Sequence, residues 1–579
     1  MPTLSWIGKD KVVNHHLDVP MRTLEKQYTF ASEGHDDDGN MIIHGDNLDA
    51  LKALLPQYEG RVKCIYIDPP YNTGNEKWVY NDNVNDPHIR AWLGKVVGAE
   101  GEDLSRHDKW LCMMYPRLKL LQKLMAEDGV IFISIDDTEY ANLKLICDEI
   151  FGVNCFVSNI SWQRTYSTRN DSKGIVNEVE HILVYSKLPD WQPAKLPRTA
   201  EMDAKYKNPD NDVMLWRTDN AFAADAATHQ GMVYAIQHPF TGELLYPSNS
   251  AHWRYNQDEM LKQMNGWCSY ELRDLNDDEK RAEVCGVSVD SVRKGVKGIV
   301  LVDSLEESTQ KAKAIYDRGQ WPRFFFTKGG KGGIARKTYF NNVGGKLPTN
   351  FWPHVETGHT DEAKKELLAV FDGKAPFDTP KPSRLIQFAL QIMGDKNAII
   401  LDSFAGSGTT AHAVLNMNKQ DGGHRRFILV EMGDYAESIT AERVRRVIGG
   451  YGEGKKAVPG TDGGFSFYEL GEPLLIDEML NPNVSEDKIR AYVYYTETRS
   501  PLPAPSCEEK HLLGVHGGHA YYFYYEADRL TTLNREFLRT IQTPAEGYLI
   551  YADVNALSAE EMERFHITFK KIPRDIARL

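Results

Sequence analysis

The feature that most constrains this chain is an alternation of short apolar strands with helices that starts at Met41, stops after Lys187 and resumes at Pro382. Residues 41–46 (MIIHGD) form a short apolar run closed by a turn, and 48–58 (LDALKALLPQY) has helical apolar spacing. Residues 62–68 (VKCIYID) read as a buried strand, 110–126 as a long amphipathic helix and 130–135 (VIFISI) as another buried strand. Such strands and helices predict an α/β fold, a mostly parallel sheet covered on both faces.

Residues 190–375 break the rhythm, being rich in Pro, Asn, Asp, Gly and aromatics, and read as an inserted domain with its own core. The pattern returns with a helix at 382–393, strands at 398–401 and 427–430, and helices at 409–415 and 435–448. The expected division is an arm (1–40), one half of the α/β domain (41–189), the insertion (190–375), the second half (376–470) and a small α+β domain (471–579).

Hydrophobic residues at 41% and charged residues at 26% exclude a disordered chain or a membrane bundle. No apolar stretch reaches the roughly 18 residues that span a bilayer, and the N-terminus lacks the pattern of a secretory signal, so the expected compartment is the cytoplasm. Seven scattered cysteines with no CxxC pair, and histidine pairs without ligand spacing, lead to no expected metal site. A net charge of -14 disfavours a nucleic-acid partner for the surface as a whole, but a polyanion responds to the local patch on which it docks.

Asp68-Pro69-Pro70-Tyr71 follows the strand 64–67 directly. Two prolines fix the backbone extended, which aims the Asp68 carboxylate and the Pro69 carbonyl out of the strand's C-terminal end, where open α/β sheets bind ligands. Two rigid acceptors beside an aromatic plate suit an exocyclic amine on a flat ring. A second strand-to-helix turn reads Leu401-Asp402-Ser403-Phe404-Ala405-Gly406-Ser407-Gly408-Thr409-Thr410. It lacks the lysine of a phosphate loop and only partly meets the dinucleotide fingerprint. Glu431 ends the next strand, where such folds place an acid on ribose hydroxyls.

In this order, DPPY and FAGSG resemble the motifs of the amino-group DNA methyltransferases, (D/N/S)PP(Y/F/W) and FxGxG, and the catalytic half coming first resembles their β group. The resemblance implies a Rossmann-like S-adenosylmethionine-dependent methyltransferase sheet, circularly permuted, with an inserted target-recognition domain. It further implies catalytic Asp68, Pro69, Pro70 and Tyr71. Cofactor contacts are implied at Asp46 and Asn47 (in IHGDNL), Lys381 (in TPKP), Asp402, Phe404, Gly406, Gly408, Thr409 and Glu431. The phrases at 170–187 and 360–371 resemble the modification subunits of type III restriction-modification systems. That implies a homodimer and a nuclease-helicase partner, while Asp68 rather than a serine favours adenine N6 over cytosine N4 in the family and implies its methylation in double-stranded DNA after base flipping. A solitary adenine or cytosine-N4 enzyme, an RNA or protein amide methyltransferase, and a binding module without catalysis are the alternatives.

Within the insertion, residues 318–346 hold seven basic residues, six aromatics and no acid. Arg318, Arg323, Lys328, Lys331, Arg336 and Lys337 are candidate DNA contacts there, as are Arg164 and Arg169 in a polar, basic loop. The aromatics could equally be core.

Overall fold

A ten-stranded sheet carries the molecule's chemistry-bearing loops. The computed structural model describes residues 3–73, 105–166, 175–342, 344–476, 479–504 and 509–576. Its contacts divide into two units, Met1–Ala194 with Leu347–Leu579, and Lys195–Lys346.

In the first unit the sheet strands are β1 (Arg22–Ala31), β2 (Met41–His44), β3 (Val62–Ile67), β4 (Met125–Ile135) and β5 (Phe156–Gln163). They continue with β6 (Val179–Ser186), β7 (Phe351–Trp352), β8 (Ile399–Asp402), β9 (Arg426–Glu431) and β10 (Gly464–Pro473). Their order is β1-β10-β2-β9-β8-β3-β4-β6-β5-β7. The run from β10 through β4 is parallel. Its strands are almost continuously apolar because both faces are covered, as Ile42, Ile65, Ile67, Ile131, Ile400 and Leu429 show by being wholly buried. Helices α1 (Asn47–Tyr58), α2 (Arg106–Leu124), α3 (Tyr140–Phe151), α4 (Thr360–Val370), α5 (Ser383–Met393), α6 (Thr409–Asp421) and α7 (Glu442–Gly449) accompany it.

The register places the two motifs side by side. Leu401 on β8 is level with Ile65 on β3, so the turn after Asp402 and the turn after Ile67 leave adjacent strands at the same edge. From β8 the chain crosses through α6 to β9 on one side, whereas from β3 it crosses through α2 to β4 on the other. The crevice of such a fold lies where these directions diverge.

The structure corrects two boundaries. Residues 1–40 are no arm, since β1 pairs along its length with β10, and Trp6, Val12, Val19 and Met21 are buried in the main core. The second unit spans Lys195–Lys346 rather than 190–375, because β7 adds to β5 in the main sheet and α4 packs near α7.

The second unit is built from small sheets of two to four strands. Trp216, Tyr234, Trp253, Trp267, Phe324, Phe325 and Phe326 fill its core. The indole N–H of Trp267 donates to the Phe324 carbonyl at 2.8 Å and that of Trp253 to the Tyr234 carbonyl at 2.8 Å, so these polar edges are satisfied as burial demands. The run Phe324–Phe326 is therefore core. Where the chain enters and leaves this unit, Leu196 and Lys346 exchange both backbone hydrogen bonds at 2.8 and 2.9 Å.

Residues beyond β10 form a smaller sheet of Leu512–His516, His519–Phe523, Gly547–Ala552 and Ile567–Lys571. Tyr522 and Phe523 are buried there.

Candidate active site

Asp68 stands one residue beyond β3, and its loop is pinned from several sides. The Trp110 indole donates to the Pro70 carbonyl at 2.6 Å. Asn72 takes a left-handed backbone (φ 59°), and its side chain donates to the buried Glu139 carboxylate, which also meets His107 at 2.6 Å and Asn142 at 2.8 Å.

Lys381, expected at the cofactor, bridges the DPPY residues. Its ammonium donates to both Asp68 oxygens at 2.8 and 2.7 Å and to the Tyr71 hydroxyl at 2.8 Å. Tyr71, only 8% exposed, passes its own hydrogen to Glu180 Oε2 at 3.2 Å. Glu180 lies 3.7 Å from the ammonium and is bonded on its other oxygen by Arg164 at 2.8 Å. Burial opposes the charge on Lys381, yet Asp68 and Glu180 outweigh it and raise its pKa. Burial raises the Asp68 carboxyl against the pull of Lys381.

The second turn sits beside it, and one pocket is lined by Asp68, Lys381, Asp402, Phe404, Gly406 and Thr409. Asp402 accepts from the Thr410 hydroxyl at 2.5 Å and the Phe404 amide at 3.0 Å. Burial outweighs these donors and pushes its carboxyl up to about 7. Glu431 accepts from the amides of Gly433 and Gly406, both at 2.8 Å, and from the Tyr435 hydroxyl at 3.0 Å. Its burial pushes the carboxyl up to about 8. Gly408 adopts φ 79°, and a β-carbon there would lie 3.0 Å from the Thr440 carbonyl oxygen, so both conformation and space call for glycine.

Asp46 caps α1 by accepting from the Leu48 amide at 2.8 Å, and Asn47 donates to the Ser403 carbonyl at 2.9 Å. The buried Arg117 of α2 holds both side chains. Its place within the apolar run 110–126 is the signal for it that the sequence carries. Arg443 was also missed. Fully buried, it donates to Ser407 at 2.9 Å, Thr409 at 2.8 Å and Glu366 at 3.1 Å, and Glu366 in turn accepts from the Ser383 amide at 3.2 Å. One carboxylate on α4 thus braces the glycine turn and the start of α5, two residues after Lys381.

Among the candidate DNA contacts, Arg318, Arg323, Lys328 and Lys331 are exposed, the two lysines on the turn that links Phe324–Phe326 to Ile334–Tyr339. Arg336 is ion-paired with Asp219. Lys337 is a correction: it is wholly buried, bonded to Asp210 at 2.5 Å, Asp212 at 2.6 Å and the Trp321 carbonyl at 2.7 Å, and cannot reach a phosphate. Arg164 pairs with Glu180 with its side chain 42% exposed. Arg169 lies outside the described residues. Among the described residues no cluster of His, Cys, Asp and Glu could hold a metal, and no helix is long and apolar enough to cross a membrane.

The geometry agrees with what the chain is similar to. The model of a family described as DNA methylase matches residues 62–442, which takes in both turns and the strands that carry them. The Mod subunit of the type III restriction-modification enzyme StyLTI of Salmonella typhimurium is 32% identical over 75% of this chain and 60% of its own length. The EcoP15I Mod subunit of Escherichia coli is 27% identical over 75% of this chain and 64% of its own, so this chain spans less than two thirds of either relative. The type II methyltransferase M.KpnI of Klebsiella pneumoniae is 29% identical over 68% of this chain and 81% of its own length. With 381 of 579 residues inside the family match, the chain belongs to the DNA methylase family.

Proposed function

We propose that the protein is a site-specific DNA methyltransferase that transfers methyl from S-adenosylmethionine to adenine N6 in duplex DNA, as the modification subunit of a type III restriction-modification system. The observation that carries this reading is the shared pocket: Asp68, beyond β3, and Asp402, at the end of β8, line one cavity from adjacent strands.

The residues present suit the cofactor. The Ser403 hydroxyl is buried with no hydrogen-bond partner among the described residues, and the carboxyls of Asp68 and Asp402 line the same pocket, where they would face a bound sulfonium. When bound, S-adenosylmethionine supplies an activated methyl group and leaves as a neutral thioether. Glu431 is the residue we assign to the ribose hydroxyls.

The chain's own residues prepare the amine. Adenine's amino lone pair is delocalised into its ring, and acceptors at Asp68 and the Pro69 carbonyl draw on its N–H bonds. Once nitrogen has gained the methyl carbon, Asp68 takes the proton that nitrogen sheds. Most of the acceleration comes from positioning and fixed electrostatics. The amine is inaccessible in a duplex, so the nucleotide flips out, at about a few kcal/mol. The exposed Arg318, Arg323, Lys328 and Lys331 dock phosphates, and the unit at 195–346 reads the site. We further assign the protein a homodimer and a nuclease-helicase partner; the relatives named as Mod subunits of restriction-modification enzymes support a multisubunit setting.

The test is transfer of labelled methyl from S-adenosylmethionine to duplex DNA, followed by nucleoside analysis. Label in 6-methyladenine supports the reading. Label in 4-methylcytosine overturns the base assignment, and no label in any DNA overturns the substrate.

A further inference from the structure

The acceptor that the amine needs is occupied. Both oxygens of Asp68 are bonded by the Lys381 ammonium, so a base arriving at this site meets a carboxylate whose charge is already matched. Removing Lys381 altogether would leave Asp68 and Glu180 as two close, buried anions. The arrangement has a third way out. Asp68, Lys381, Glu180 and Arg164 form a row of alternating charge whose successive charged atoms lie 2.7, 3.7 and 2.8 Å apart. The side chains of Asp68, Lys381 and Glu180 are 16%, 9% and 8% exposed, whereas that of Arg164 is 42% exposed, so only the last member is open to a large polyanion.

We propose that this row is a relay by which a DNA phosphate releases the catalytic acceptor. The idea rests on the reading of the protein as a DNA methyltransferase. A phosphate that draws Arg164 away leaves the buried Glu180 carboxylate without its partner, and its whole charge then falls on the ammonium beside it. The 3.7 Å gap closes by a side-chain movement of Lys381, around the Tyr71 hydroxyl that bonds to both groups. Asp68 is then free to accept the amine's hydrogens. Each cation keeps an anion throughout, and Asp68, which gives up its cation, takes the amine's hydrogens in its place. Methyl transfer is thereby linked to phosphate contact, and a lone adenine does not open the site.

Two near-isosteric changes test it, each in the full chain. With unmethylated phage DNA, Glu180→Gln should lose its activity in kcat, by about tenfold or more, because nothing receives the ammonium. Arg164→Met should lose its activity in KM for DNA, and should methylate free adenosine, which carries no phosphate, faster than the wild type. Adding Glu180→Gln to Arg164→Met should abolish that gain. Arg164→Met lowering kcat as much as Glu180→Gln with no gain on adenosine, or Glu180→Gln keeping wild-type kcat, overturns the relay. A structure of the DNA complex with an extrahelical base seated and Lys381 still on both Asp68 oxygens does so too. A wild-type chain that methylates no DNA instead defeats the parent reading.

Discussion

Lys381 and Asp68 are 313 residues apart in sequence and share a two-oxygen ion pair at 2.8 and 2.7 Å. The carboxylate proposed to be catalytic is therefore also a structural partner, and its removal has two separable effects. Asp68→Ala should lower single-turnover methyl transfer by about 10²-fold or more, as loss of a preorganised electrostatic group does. It should also leave the buried Lys381 to share Glu180 with Arg164, which should lower stability. Thermal unfolding would register the second effect, and Asp68→Ala at wild-type melting temperature would contradict it.

Gly408→Ala should weaken cofactor binding at the glycine turn. The left-handed backbone costs a β-carbon about 1–2 kcal/mol, and the Thr440 carbonyl crowds it at 3.0 Å. Isothermal titration with S-adenosylmethionine measures it, and an affinity equal to wild type would show that the turn relaxes freely.

Glu431 makes a pH-dependent prediction. Its folded pKa, about 8, lies above the ordinary 4.5. The stability it contributes is thus complete below about pH 4.5 and is lost as pH rises through about 8. Glu431→Gln cannot ionise, so the ligand-free wild type should lose stability relative to this variant between pH 5 and 8. Donation from ribose hydroxyls favours the carboxylate, so binding S-adenosylmethionine at pH 7 should release a proton from the wild type and not from the variant. Calorimetry in buffers of different ionisation enthalpy counts that proton, and equal counts in both proteins would rule out the ribose contact.

Lys337 and Lys331 are basic residues six positions apart with opposite expected phenotypes. Lys337→Met strands Asp210 and Asp212 in the core and should destabilise the unit at 195–346 by about 3–5 kcal/mol. Replacing Arg323, Lys328 and Lys331 by Gln should leave the melting temperature near wild type. It should reduce the slope of log binding constant against log salt by about 2.7 if all three meet phosphates, at about 0.9 per contact. An unchanged slope would remove this surface as the docking site.

What could be read from the sequence was local. DPPY and FAGSG each lie within ten residues of a buried strand, and strand register then brings them together with no further information. The relay residues were not legible as a set, because Tyr71 and Lys381 are 310 residues apart and Tyr71 and Glu180 are 109 apart. Lys337 was misread for the same reason: the stretch 318–346 contains no acid, but Asp210 and Asp212 reach it across 127 and 125 residues. Residues 22–31 looked like an arm because their partner strand, at 464–473, lies at the far end of the domain.

The paired backbone bonds between Leu196 and Lys346 join the entrance and exit of the second unit. To the rest of the chain, 151 residues from 196 to 346 amount to the closing of one loop. If that unit reads the target, as proposed, lineages could exchange it whole, at the cost of a single splice, and acquire a new target sequence while keeping the same reaction. In such a family the vocabulary can change quickly and the chemistry stay still.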